Sequence, residues 1–324
     1  MNTNNAKAVF SRIGFAQIAG TIASILIGTF VLTPLFSGDN LQKSFDAMGP
    51  SMLLLMIYVP QLAYLLLYWL FVRTMPKPEW QKETMSFKTL AEIFLMMYAV
   101  SNVISQIGSA ITKSAPAGGD IQLDLLAKMQ STKLPIAIAI PVVIGPILEE
   151  LVFRKLMLDR TRAYGEKTAI IFSAICFGLF HGNLTQFLFA GVVGLFLGYV
   201  YCKTGKVLYT MIMHMLLNGT SSIILLVVLP MLEQQHTDDL AIAAIGIILA
   251  LLLLASMMII GFILLILWIK RKRFIFDESM PDIIPQNEVF KTVYLNTGVI
   301  LLFILQIFGI ISTLLNIPLP LWQQ

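Results

Sequence analysis

Apolar residues run through this chain in long blocks, separated by short polar connections. A helix that crosses a hydrocarbon layer of ~30 Å needs about 20 predominantly apolar residues. Nine blocks approach that length, at about 13–36, 51–72, 89–112, 134–158, 168–182, 184–202, 207–230, 240–269 and 293–318. The pattern predicts an all-α fold, a polytopic transmembrane helical bundle of nine spans. The fifth block is short, and its assignment as a span depends on its neighbours. No repeat of solenoid period, low-complexity tract or soluble domain interrupts the series, so residues 1–324 read as a single integral-membrane domain.

Composition agrees with this reading and removes the alternatives. Hydrophobic residues make up 57% of the chain before its 21 glycines are counted, against ~45–50% with glycine included in a soluble protein. Charged residues are only 12%, about half the usual share. So few charges cannot cover a water-soluble surface, which excludes a soluble enzyme, a disordered tail and a nucleic-acid binder. The net charge of +4 is therefore informative only through where the basic residues lie. With the N-terminus inside, every basic residue of the 22 except Lys43, Lys113, Lys128 and Lys133 falls in an inside segment. Nine spans then put the C-terminus outside. The two cysteines, Cys176 and Cys202, lie in or at the end of apolar runs and read as lone buried thiols.

Ionisable residues inside a span are costly and point to function. Three blocks carry them. The fourth holds Glu149 and Glu150, then Arg154; the fifth holds Phe177 and His181; the seventh holds His214 and Asn218. Depth can be counted from the basic flank of each helix at 1.5 Å per residue. Glu149 lies roughly 16 Å from Arg160, His181 roughly 21 Å from Lys167, His214 roughly 12 Å and Asn218 roughly 18 Å from Lys206. The four share a layer near mid-membrane. Residues four apart share a helix face, so His214 and Asn218 point together, as do Phe177 and His181. Glu150 and Arg154 can pair within one helix, which leaves Glu149 in a different environment. Two carboxylates with separated environments recur in acid–base sites. Pro141 and Pro146, just upstream, interrupt the backbone hydrogen bonding, as suits a wet cavity. Gly191, Gly194 and Gly198 in the sixth block read as a close-packing face.

Glu149-Glu150-Leu-Val-Phe-Arg154 fits EExxxR, Phe177-Gly-Leu-Phe-His181 fits FxxxH, and His214-Met-Leu-Leu-Asn218 fits HxxxN. This ordered trio resembles the CPBP family, which includes CAAX prenyl proteases of the Rce1 type and bacterial Abi proteins linked to bacteriocin processing and self-immunity. The resemblance covers about 134–230, which would be the catalytic core, and makes the bundle a core of eight spans plus one. It implies an intramembrane endopeptidase in which Glu149 activates a water, His181 holds and polarises that water, and His214 and Asn218 stabilise the oxyanion. Glu150, Arg154 and Phe177 would support the site. The implied partners are the lipid bilayer and a peptide or membrane-protein substrate, and the bacterial members point to a bacterial plasma membrane.

Many members of the family are named metalloproteases, and Glu149, His181 and His214 would be the ligands if zinc were used. The chain has no HExxH, and Asn is an uncommon zinc ligand. The residues favour a metal-independent glutamate protease with no cofactor, zinc being the alternative. Two other functions stay open: a catalytically silent member acting as an immunity or regulatory partner, and a proton-coupled transporter.

Overall fold

The computed structural model describes residues 3–32, 50–78, 83–115, 140–223, 240–277 and 282–317. Among these residues all regular structure is helical. The helices are α1 (Thr3–Leu26, continued by a π-helical stretch Ile27–Leu32), α2 (Pro50–Val72), α3 (Phe87–Lys113), α4 (Gly145–Glu150), α5 (Glu166–Phe180), α6 (Leu184–Thr204), α7 (Val207–Ile223), α8 (Leu240–Lys270) and α9 (Thr297–Leu315). Each of the nine segments expected from hydropathy is mainly helical where it is described, with breaks at 181–182, 295–296 and 316–317. Five helical stretches among the described residues are long and apolar enough to cross a membrane, by length and composition: Asn4–Val31, Phe87–Lys113, Leu184–Thr204, Ala244–Lys270 and Thr297–Leu315. The protein is an integral, multi-pass membrane protein.

The segments that carry the motifs are the irregular ones. The predicted fourth span is not one uniform helix. Pro141 lies in a π-helical turn (Ile140–Ile144), α4 runs for six residues through both glutamates, and a second π-helical stretch (Leu151–Leu158) holds Arg154. Further turns carry the chain to Tyr164. Neither proline can donate a backbone hydrogen bond, and π-helical turns are frequent at functional sites.

The fifth predicted span ends earlier than its apolar run suggests. α5 has 15 residues, roughly 22 Å of rise, and stops at Phe180. His181 stands just beyond the helix, at its C-cap. Gly182 then turns left-handed with φ of 67°, a conformation that suits glycine. Asn183 caps the next helix, its side chain accepting from the Gln186 amide at 2.9 Å. The same side chain donates to the His181 carbonyl at 3.1 Å, so the turn that presents His181 is held by its own sequence.

α5 and α6 pack as an antiparallel hairpin, and α6 also packs against α3 and α7. The glycine face of α6 supports this. A methyl group on Gly194 would come within 2.9 Å of the Ala174 backbone, and one on Gly198 within 3.2 Å of Ile170; Gly191 is looser, 3.9 Å from the Ala174 carbonyl. α1 packs between α2 and α9. Glycines meet there too: a side chain on Gly14 would collide with the Gly298 backbone.

The connections predicted to share the inner side touch one another. Arg12 donates to the Phe71 carbonyl at 2.6 Å and Arg160 to the Val72 carbonyl at 2.8 Å. Two cations thus cap the C-terminal end of α2, where carbonyls lack helical partners and the dipole is negative. Lys203 pairs with Glu166 at 2.6 Å, and the same carboxylate accepts the Asp277 amide at 2.6 Å. The Ile284 amide donates to the Tyr164 carbonyl at 3.0 Å. Cys176 and Cys202 are both buried and free.

Candidate active site

Three elements bring their polar residues together: α4 with its π-helical continuation, α5 and α7. Arg154 Nε donates to Glu150 Oε2 at 3.0 Å, and both side chains are fully buried. This is the intrahelical pair expected from the four-residue spacing. Arg154 also donates through Nη1 to Ser173 on α5 at 3.1 Å, and the Ser173 hydroxyl donates in turn to the Phe153 carbonyl at 2.9 Å. The guanidinium lies over the Phe177 ring, 5.1 Å from its centre. Arg154 therefore ties the motif segment to α5 in a place where a lone charge would be very costly.

The other oxygen of Glu150 faces α7. His214 Nδ1 lies 3.1 Å from Glu150 Oε1. An ionised carboxylate only accepts, so Nδ1 carries the proton and Nε2 is fixed outward. Nε2 is 3.7 Å from Glu149 Oε2. One histidine is thus held by one glutamate and turned toward the other. This pairing is not visible in the motif pattern, where His214 groups with Asn218. Asn218 stands one turn further along α7, half-buried.

The two glutamates are in unlike surroundings, as expected from the sequence. The Glu150 side chain is wholly enclosed by its arginine and histidine partners, whereas the Glu149 side chain is 16% exposed. One carboxylate is saturated by buried partners, and the other is partly open.

His181 approaches through Phe177 rather than by direct contact with a glutamate. Its Nδ1 is 2.9 Å from the Phe177 carbonyl. A carbonyl can only accept, so Nδ1 carries the proton and Nε2 offers a lone pair. The Phe177 ring makes edge contacts with both histidines, at 5.0 Å to His181 and 5.8 Å to His214. Phe177, legible as a supporting residue in the FxxxH pattern, is the spacer that sets the two imidazoles apart.

Ser173 and Thr210 were not singled out by motif. Both are fully buried. Ser173 lies four residues before Phe177, and Thr210 four before His214, so the same helical spacing that groups the motifs would have found them. Thr210 places its hydroxyl near Glu150 and near the Val207 carbonyl, 2.9 Å away.

Whether zinc could be held depends on the grouping of the donor side chains. Three protein ligands with an open position are needed, but among the described residues no three His, Cys, Asp or Glu side chains are grouped to hold a metal. Glu150 is occupied by Arg154 and by His214 Nδ1, and His181 is not in direct contact with either glutamate in the hydrogen bonds described.

Residues 131–220 match the family described as Type II CAAX prenyl endopeptidase Rce1-like. That range contains every motif residue named above. A Bacillus subtilis (strain 168) protein named "Putative membrane peptidase YdiL" is 30% identical over 111 residues, an alignment that covers 32% of this chain and 43% of that relative. The chain thus spans less than half the length of the relative. No solved structure matches it. The family match falls on the segment that builds the buried Glu–Arg–His cluster.

Proposed function

We propose that the protein is an intramembrane endopeptidase that hydrolyses a peptide or a segment of a membrane protein by a glutamate-activated water. The observation that carries this reading is the pair of contacts His214 makes, 3.1 Å to Glu150 and 3.7 Å to Glu149. A base must lie near the proton it takes and be oriented by its surroundings, and static structures often show such contacts long. Glu149 is the partly open carboxylate. Glu150, held by Arg154, orients the imidazole beside it.

In the proposed reaction Glu149 takes a proton from water, and the hydroxide adds to the scissile carbonyl. His181 Nε2 accepts a hydrogen bond from the same water and fixes its direction. Asn218 donates to the oxyanion. His214 Nε2 receives the proton from Glu149 and delivers it to the leaving nitrogen as the C–N bond breaks, which restores the starting charges. General-base catalysis contributes ~10²–10⁴-fold, and an oxyanion donor a further ~10²–10³-fold. No step uses a metal, in line with the donor set described above.

The bundle is proposed to cross the membrane nine times, with the N-terminus inside and the C-terminus outside. The mutual contacts of the inner connections support that alternation. Membrane peptide profiles of cells carrying the wild type and Glu149→Gln test the reading. A membrane peptide or protein that stays uncut only in the variant is the expected result, and identical profiles would contradict it.

A further inference from the structure

The inner ends of α1 and α2 form a feature that the motif cluster does not use. Between them lies an open groove of about 670 Å³, walled by Ala8, Ser11, Arg12 and Phe15 of α1 and by Leu70 and Phe71 of α2. On the proposed topology α1 enters the membrane here and α2 leaves it, so position along each helix is depth. Arg12 stands at the mouth of the groove, and Phe15 is one turn deeper. Phe15, Leu70 and Phe71 are each nearly two-fifths exposed, as suits side chains that face lipid.

The charge around this groove has one sign. α1, α2 and residues 73–78 contain no Asp or Glu. They supply Lys7, Arg12 and Arg73. Lys7 lies four residues before Ser11 and Arg73 three after Leu70, spacings that share a helix face. None of these three cations belongs to an ion pair among the described residues. Elsewhere on the inner side Lys155, Lys203 and Arg273 each meet a carboxylate at 3.0 Å or less. Among the described hydrogen bonds Arg12 has only neutral partners, the Phe71 carbonyl and the Thr74 hydroxyl, each at 2.6 Å, and it stays exposed. Arg160 caps the next carbonyl, that of Val72. Two guanidiniums therefore share one helix end, near enough for their like charges to interact. Arg73 lies over the Trp69 ring, 5.4 Å from its centre, and such aromatic anchors mark the membrane–water interface.

We infer that this groove binds one anionic phospholipid of the inner leaflet, its phosphate beside Arg12 and an acyl chain along Phe15, Leu70 and Phe71. A free anion matches the cations but not the apolar wall behind them. A zwitterionic lipid matches the wall but brings a positive group to a cluster of cations. An anionic phospholipid carries both halves in the order the groove presents them, and basic pockets between membrane helices on the cytoplasmic side hold such headgroups. The phosphate supplies the countercharge that α1 and α2 lack and relieves the repulsion between Arg12 and Arg160. The site stands apart from the motif cluster, and its occupancy is measured without cleavage.

The test places purified full-length protein in nanodiscs of phosphatidylcholine mixed equally with phosphatidylglycerol. Lipids retained on gentle extraction are identified by native mass spectrometry. Wild type is expected to keep one phosphatidylglycerol in preference to phosphatidylcholine, and to melt higher in the mixed nanodisc than in phosphatidylcholine alone. Lys7→Gln combined with Arg73→Gln leaves the Arg12 cap of α2 intact, so it should melt like wild type in phosphatidylcholine. Its preference should fall about fivefold for each cation removed, the worth of one basic residue near an anionic surface. Arg12→Gln should lose the rise in melting temperature that phosphatidylglycerol gives; if it does not accumulate, the Lys7–Arg73 pair decides. Lys270→Gln combined with Arg271→Gln removes the same charge from the end of α8 and should leave the preference unchanged. Equal retention of the two lipids by wild type would overturn the inference, as would an equal loss of preference in the α8 pair. A matching rise in melting temperature with inorganic phosphate in phosphatidylcholine would also overturn it, since the occupant would then be a free anion.

Discussion

α8 and the α4–α5–α7 cluster follow opposite rules within one chain. α8 has a mean hydropathy of 3.0 over its most apolar stretch, and only 6% of that stretch is buried inside the protein. Leu252, Leu253 and Ile259 are each about three-fifths exposed. A helix that is apolar all round and exposed to this degree has lipid as its solvent. In the cluster polar groups are buried instead: Glu150 and Arg154 have no exposure, and His214 almost none. Hydrophobicity places a helix in the membrane, but in this molecule the interior of the bundle is where polarity is kept. The attachment of α8 shows the same economy. It packs on α3 through Gly261, where a side chain would collide with the Leu95 carbonyl, and its basic end is fixed by Arg273, which meets Glu92 at 2.6 Å.

If that contrast is right, substitutions should scale with it. Arg154→Ala should have the largest effect. It leaves Glu150 as a buried charge without its main partner, a change worth about 3–5 kcal/mol, so the variant should accumulate poorly in membranes, as quantitative immunoblotting would show. Normal accumulation and melting would break the comparison at its strongest point.

His214→Ala should separate chemistry from folding. It removes a proton carrier held by Glu150 and facing Glu149, and cleavage should fall by about 10²–10⁴-fold, while the protein still inserts. The measurement is the single-turnover rate on a fixed amount of folded protein. A variant that cuts at the wild-type rate would take His214 out of the mechanism.

Ser173→Ala comes next. It deprives Arg154 Nη1 of its partner and should cost about 1–3 kcal/mol, seen as a lower melting temperature with the cleavage rate per folded molecule nearly intact. Leu252→Ala on α8 should do least. It truncates a lipid-facing side chain, and exposed positions away from special features shift stability by about 0.5 kcal/mol or less. A large loss there would mean that α8 is covered by protein rather than lipid.

Much of this was legible in the chain. The long apolar blocks announce the helices because backbone groups in lipid must pair within their own segment. The Glu150–Arg154 pair was legible because four residues make one helical turn. Other features depend on relations that spacing does not carry. α5 ends at His181 because Gly182 and Asn183 form a capped turn, although the apolar run gives no sign of a stop there. The approach of His214 Nε2 to Glu149 depends on which ring nitrogen Glu150 holds, a fact of three-dimensional orientation. Gln61 and Tyr64 were silent because they line the same crevice as Glu149 from a helix nearly ninety residues earlier. A lone Gln or Tyr in an apolar span looks like any interfacial residue until its neighbours are known. Ser173 and Thr210 stand between these cases, since the turn-by-turn rule that found the motifs extends to both.

Glu149 is the base in the proposed reaction, and one substitution isolates that role. Purified wild type and Glu149→Gln, reconstituted in the same lipid and matched for melting temperature, should be compared by single-turnover cleavage of a substrate that the wild type cuts. The substitution keeps size and hydrogen bonding but removes the basic carboxylate. The rate should fall by about 10²–10⁴-fold, with the protein folded and inserted as before. A folded Glu149→Gln protein that cleaves at the wild-type rate would contradict it.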